Sequence, residues 1–285
     1  MFFLKYYYFM FIISSYNALE LLKISKNKFT GPVNIVSIKD KKTYYDKDIE
    51  HFYKENEFIE NKKLITVSPG GYRGFYMFGI CKYIKDNYNM ENYIFSGASA
   101  GAWLSLFLCF KKNINEIGEN LIDNNFQNTE SIYEMQNIIK YKLLSRYTSD
   151  DFDLRNLFIG VTCINNLNYI TPTIYYNFDN LEDAIDCCIA SSHIPMITGG
   201  LYNIYRNKLS FDGGFCRFPY LNTLEPTFHI TPFLWEKVSH SNIDIKRYTT
   251  LFSKGDYDFI ELIEKGYYDS LQNKDYIDTL LQSVI

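Results

Sequence analysis

An α/β fold is what this chain predicts, with a central, mostly parallel sheet flanked by helices, and three observations carry that prediction. Runs rich in β-branched and aromatic residues alternate with helical patterns through the middle of the chain, the order that feeds a largely parallel sheet. Between Leu64 and Phe110 the order appears in compact form: strand, glycine turn, helix, strand, sharp turn, helix. No linker rich in Pro, Gly or Ser breaks the alternation and no internal repeat appears. One domain is therefore expected over residues 64–285, preceded by a leader, residues 1–63.

Composition agrees with a packed domain. Of 285 residues, 47% are hydrophobic, enough to bury a sizeable core and to set disorder aside for most of the chain. A formal charge of −4 offers no basic footprint, so nucleic acid is not an expected partner. The aromatic share, 18%, comes with a bias to Tyr, Asn, Lys and Ile that an AT-rich genome explains. Cys81, Cys109, Cys163, Cys187, Cys188 and Cys216 form no C-x-x-C pair and fall mostly in apolar runs, where free cysteine behaves as a small hydrophobe. With four scattered histidines this leaves no zinc constellation; no metal or cofactor is expected, and a reducing, cytoplasmic setting is favoured.

The elements follow in order. Met1 to Ile13 carries one positive charge and an apolar run too short to span a bilayer. Three readings stay open for it: a segment packed on the domain, a signal peptide, or an aromatic anchor at a membrane surface. Val33–Ile38 reads as a strand and Asp46–Phe58 as a short amphipathic helix, with His51 a solvated residue within it. Leu64–Ser68 is the first strand of the compact stretch, Phe75–Lys85 its helix, Tyr93–Ser96 the second strand and Ala102–Phe110 the second helix. Lys111–Asn128 reads as a polar connection. From Ser131 to Arg146, Ile132, Met135, Ile138, Ile139, Leu143 and Leu144 mark one helical face. Leu157–Ile164 and Thr173–Tyr176 bracket Asn165–Asn168, and asparagine's tolerance of positive φ suits a hairpin there. Leu181–Ser191 is a helix that Pro195 bars from extending. Lys208–Phe211 is a strand, Asp212-Gly213-Gly214 a turn, Phe228–Ile230 a strand and Asp256–Ser270 a terminal helix.

The chemistry centres on Gly97-Ala98-Ser99-Ala100-Gly101, which fits the G-x-S-x-G elbow that holds a serine on a strained strand-to-helix corner. A Cβ at Gly97 or Gly101 would crowd the neighbouring strand and helix, and the helix N-terminus aims N–H groups at any anion formed beside Ser99. A serine alcohol needs a positioned base. The histidines available are His51, His193, His229 and His240. The order Ser99, Asp212, then His229 or His240 satisfies a triad, yet His229 lies in a strand pattern and His240 in a polar loop, so nothing local selects either.

Taken in order, Pro69-Gly70-Gly71-Tyr72-Arg73-Gly74, Gly97-Ala98-Ser99-Ala100-Gly101 and Asp212-Gly213-Gly214 resemble the three-part signature of the patatin-like phospholipases. The resemblance covers Leu64 to Gln272. It extends to Cys188–Pro195, similar to the family's alanine- and serine-rich segment ending in proline. Phe228–Phe233 and Lys265–Asp269 look most like the adipose triglyceride lipase branch. It implies a lipid acyl hydrolase working through a Ser99–Asp212 dyad without histidine. Its substrate would be a lipid at a membrane or droplet surface, with the enzyme peripheral to that surface. The oxyanion would be met by the N–H groups of Gly70, Gly71, Tyr72 and Ala100. Where the family's loop opens with glycine this chain has Pro69, which brings no N–H; a catalytically silent binding module of the same fold is the alternative it raises. Without the resemblance, Gly70-Gly71-x-x-Gly74 is an ordinary strand-to-helix turn or a fragment of a phosphate loop. Arg73 has two readings: a solvated residue at the helix start, or an anchor of the loop that meets an anionic headgroup.

Overall fold

Period-two burial sets the sheet. In β1 (Lys63–Val67) Leu64 points to one face while Ile65 and Val67 point to the other. In β2 (Tyr93–Gly97) Ile94 and Phe95 divide in the same way, as do Phe158 and its neighbours Leu157 and Ile159 in β3 (Leu157–Ile164). The chain is seen in a computed structural model that describes residues 52, 54–164, 170–216, 218–236 and 257–281. Met1–Ile13, the Val33–Ile38 strand, His51, the Asn165–Asn168 turn and His240 lie outside them, as does most of the Asp46–Phe58 helix.

The sheet has seven strands among the described residues, completed by β4 (Ile170–Tyr175), β5 (Asn203–Tyr205), β6 (Lys208–Phe211) and β7 (Pro226–Ile230). Its order is β5-β6-β3-β2-β1-β7, with β4 on the free edge of β3. The strands β3, β2, β1 and β7 run parallel, as expected. The other pairings, β3–β4, β3–β6 and β5–β6, are antiparallel, so the sheet is mixed rather than mostly parallel. The reason is local: β5 and β6 are joined by the two-residue turn Arg206-Asn207, with φ of 44° and 62°, which reverses the chain on the spot.

One register detail places the site. β2 stays beside β3 only as far as Gly97 opposite Ile159, whereas β6 reaches β3 at Phe211 opposite Thr162. The strand β4 occupies the opposite edge from Ile159 to Ile164, so β2 and β6 share one edge of β3 and approach along it from opposite directions. The residues just past their ends, Ser99 and Asp212, meet in the gap at Gly160.

Helices cover the face with the larger core: α1 (Gly74–Asn87), α2 (Ala100–Leu108), α3 (Ile114–Leu121), α4 (Ile132–Arg146), α5 (Leu181–Ser191), α6 (Phe259–Gln272) and α7 (Lys274–Leu281). Their starts follow capping chemistry: Ser131 Oγ accepts from Glu134 N, and Asn180 Oδ1 from Asp183 N. The helix α3 corrects the reading of Lys111–Asn128 as a polar connection. Asn113 caps it, and Ile114, Ile117 and Leu121 bury one stripe of an otherwise polar segment. The expected C-terminal helix begins at Phe259, capped by Asp258, and a further helix, α7, follows it. On the opposite face Ile59, Leu64, Ile94, Phe158 and Leu221 form a smaller core, with Phe52, Phe58, Ile174, Tyr176 and Leu224 packed against it.

Candidate active site

Ser99 stands between β2 and α2 with φ 55° and ψ −127°, a backbone conformation that costs a non-glycine residue about 1–3 kcal/mol and persists only where its surroundings impose it. The surroundings here are close. A Cβ on Gly97 would stand 2.0 Å from the Gly101 carbonyl oxygen, and one on Gly101 would stand 2.1 Å from that of Val67. The Ser99 N–H donates to Ser191 Oγ (2.9 Å), and Ser191 Oγ donates to the Gly160 carbonyl (2.6 Å), tying the corner to β3 and α5. Beside it, Trp103 Nε1 donates to Ser192 Oγ, which donates to the Cys188 carbonyl. The serine-rich segment is a clamp on the elbow. Ser99 Oγ makes no capping bond to its own helix, so the alcohol is available.

Asp212 follows β6. Its N–H donates to the His193 carbonyl (2.8 Å), and its Oδ1 accepts from Gly214 N (2.7 Å). Gly213 passes against Gly160, where a Cβ would meet the carbonyl oxygen at 2.4 Å. Burial lifts the Asp212 carboxyl from the ordinary 3.8 to about 6, against hydrogen bonds from Ser99 and from the Gly214 N–H that lower it. Tyr220, whose buried hydroxyl has no partner among the described residues, lies near enough that the Asp212 charge adds to the burial raising the phenol's own proton affinity.

Ser99 and Asp212 both line one cavity, partly open to solvent, whose other walls are almost wholly apolar. Gly71, Tyr72, Gly74 and Ala100 line it as well; Gly70 does not. Gly71 has φ 51° and begins the tight turn Gly71–Arg73, and Ala100 begins α2. First residues of helical turns have no acceptor for their N–H within the turn, so neither N–H is used up by its own helix. Gly74 brings α1 against α2, since a Cβ there would touch that of Ala100 at 3.0 Å. Pro69 packs behind the aspartate turn, 3.0 Å from where a Cβ on Gly214 would stand.

Arg73 is an anchor and is not solvated. Its Nε donates to the Pro232 carbonyl (2.9 Å), its guanidinium pairs with Glu236 and it lies 4.5 Å over the Phe233 ring. With that charge engaged by Glu236, its proposed contact with an anionic headgroup gains no support.

No histidine lines the cavity among the described residues. His229 is half-buried, bonded through Nδ1 to Thr66 Oγ1 (2.7 Å), and loss of solvent around the ring drives it down to about 4, leaving it neutral. His193 is buried beside Phe211 and supports Asp212 through its backbone carbonyl. His229→Gln is therefore expected to keep turnover of a soluble ester within a few-fold of wild type, with a stability loss on the order of 1 kcal/mol. A folded variant as inactive as a serine deletion would put the histidine back in the site.

Among the described residues no group of three or more His, Cys, Asp or Glu side chains is placed to hold a metal ion, and no helix is long and apolar enough to cross a membrane. What stands here is an α/β protein with a serine at a strained strand-to-helix corner, beside a buried carboxylate in the wall of an apolar cavity. A sequence model described as patatin-like phospholipase matches residues 65–223, more than half of the chain, and the chain belongs to that family. Among solved structures, VipD from Legionella pneumophila aligns at a TM-score of 0.38 and 14% identity over 74% of this chain. The chain spans 55% of that protein's length. No curated protein matches it.

Proposed function

We propose that this chain is a lipid acyl hydrolase that cleaves carboxylic esters through a Ser99–Asp212 dyad. The observation that carries the reading is the shared cavity, where a strained serine and a buried aspartate with a raised proton affinity face the same apolar space. The aspartate is basic enough to work near neutrality because burial has lifted it toward the working pH.

In the first half-reaction Asp212 takes the Ser99 proton as Oγ attacks the ester carbonyl. The Gly71 and Ala100 N–H groups face the resulting oxyanion, with Gly70 and Tyr72 as further candidate donors. Collapse breaks the ester bond, the leaving alcohol takes the proton from Asp212, and the acyl group stays on Ser99. Water then gives its proton to Asp212 as it attacks the acyl carbon. Release of the fatty acid returns that proton to the serine.

Lipids at a membrane or droplet surface are the proposed substrates, phospholipid and acylglycerol alike. The adipose triglyceride lipase likeness of Phe228–Phe233 and Lys265–Asp269 lies beyond the matched residues 65–223 and is the reason to include acylglycerols. Pro69 favours a second reading, a silent lipid-binding module. Gly71 and Ala100, which line the cavity, do not need a donor at residue 69. Hydrolysis of a short fluorogenic ester decides between the readings. Ser99→Ala is expected to lower turnover by about 10⁴-fold or more in a protein that still folds, as removal of a nucleophile does elsewhere. A wild type without activity, or a variant that keeps it, would leave the binding module.

A further inference from the structure

The cavity has a direction and an end. It follows α2 away from the serine: Ala100, Trp103, Leu104 and Phe107 line it at i, i+3, i+4 and i+7, one face of a helix. From Ser99 to Phe107 is a rise of about 12 Å at ~1.5 Å per residue. Phe107 is the α2 residue of the lining farthest from the serine, and its ring packs edge to face with that of Phe78, centroids 5.9 Å apart and both buried.

Gly118 stands at that end, in the middle of α3. Glycine there costs an eight-residue helix stability relative to alanine. Its φ is not positive, and an added Cβ would meet no neighbouring backbone but would stand 3.2 Å from the Phe78 ring, close enough that the ring would have to shift. The missing side chain lets the Phe78 ring seat against α3 as part of the cavity wall, and a larger residue there would push that ring into the cavity.

We infer that Gly118, Phe78 and Phe107 set the depth of an acyl site that takes one linear chain of about eight to ten carbons. The estimate follows from geometry: carbon–carbon bonds of ~1.5 Å in an extended zigzag advance ~1.3 Å per carbon, so ~12 Å holds nine or so. The inference rests on the acyl-hydrolase reading for the reaction, and only on the cavity for the binding.

The test has two arms, both on the full chain. In the first, kcat/KM is measured for 4-nitrophenyl butanoate, decanoate and hexadecanoate. Wild type is expected to prefer decanoate over hexadecanoate by at least tenfold. Gly118→Leu is expected to lower its decanoate-to-butanoate ratio by tenfold or more. Phe107→Ala is expected to raise the hexadecanoate-to-decanoate ratio. Ratios within one protein cancel the folded fraction, so misfolding cannot imitate opposite shifts. In the second arm the melting temperature is followed with decanoic and hexadecanoic acids below their micellar concentrations. A rise with decanoic acid is expected, lost in Gly118→Leu. A wild type that hydrolyses nothing yet shows this binding pattern would overturn the hydrolase reading and uphold the depth. Hydrolysis with ratios unmoved by both substitutions would do the reverse.

Discussion

Asp212→Asn is expected to remove ester hydrolysis and, at the same time, to raise the protein's melting temperature at neutral pH. The carboxyl is buried and its proton affinity is lifted from 3.8 to about 6. The folded state thus holds the proton more tightly than the unfolded chain, and stability falls as pH rises. The contribution of this group is fully present below about pH 4 and is lost by the time pH has passed 6. At about 1.4 kcal/mol per tenfold, the loss at pH 7 is about 3 kcal/mol, which for a chain of this size corresponds to roughly 5–10 °C. Asparagine avoids it and still offers an oxygen to the Gly214 N–H. The variant should melt above wild type at pH 7, and the difference should vanish toward pH 4. Turnover by wild type should fall as pH drops below about 6, because the protonated aspartate cannot accept from Ser99. Equal melting curves at pH 7 would show that the carboxylate is not held at an energetic cost. An active Asp212→Asn enzyme would show that it is not the base.

On the proposed reading, such a cost is what selection for activity rather than stability leaves behind. Ser99 carries a second one, its φ of 55°, within the same few ångströms.

The local parts of this site were legible because they are written in glycine. A Cβ on Gly97 or Gly101 would stand 2.0 or 2.1 Å from a backbone oxygen, so only glycine fits at either position. Helix ends were legible for a similar reason, since Ser131 and Asn180 are capping residues whose side chains bond the next turn. What no stretch of sequence carries is register. That Ser99 and Asp212 meet depends on β2 leaving β3 at Ile159 and an antiparallel β6 arriving at Thr162. A strand of four residues, Lys208–Phe211, has no pattern that states its direction. Ser191 is one serine among several in its segment, and its bonds to Ser99 and Gly160, which span 92 and 31 residues, leave no mark in the local sequence. The helix α3 was missed because three buried side chains, Ile114, Ile117 and Leu121, are thinly spread among Asn, Glu and Gly. Its spacing was the signal available. The role of Arg73 is set by Glu236 and Pro232, some 160 residues on, which no local pattern places beside it.

Gly71→Val carries the second large effect, an expected loss of about a hundredfold to a thousandfold in turnover, the range for removing one oxyanion donor. Gly71 lines the cavity at φ 51°, a conformation open to glycine and costly for any residue branched at Cβ. Valine would escape the strain by rotating the peptide, and the N–H proposed to meet the oxyanion would turn away with it. It would also fill space the ester carbonyl needs. These two causes separate with a companion variant. Asparagine visits the left-handed region far more readily than valine, so Gly71→Asn keeps the backbone while still adding bulk. If donor direction is what matters, Gly71→Asn should retain at least tenfold more turnover than Gly71→Val, with both proteins melting as single folded species. Equal losses would make crowding the cause. Full activity in the valine variant would remove these amides from the oxyanion site, and with them the second support of the hydrolase reading.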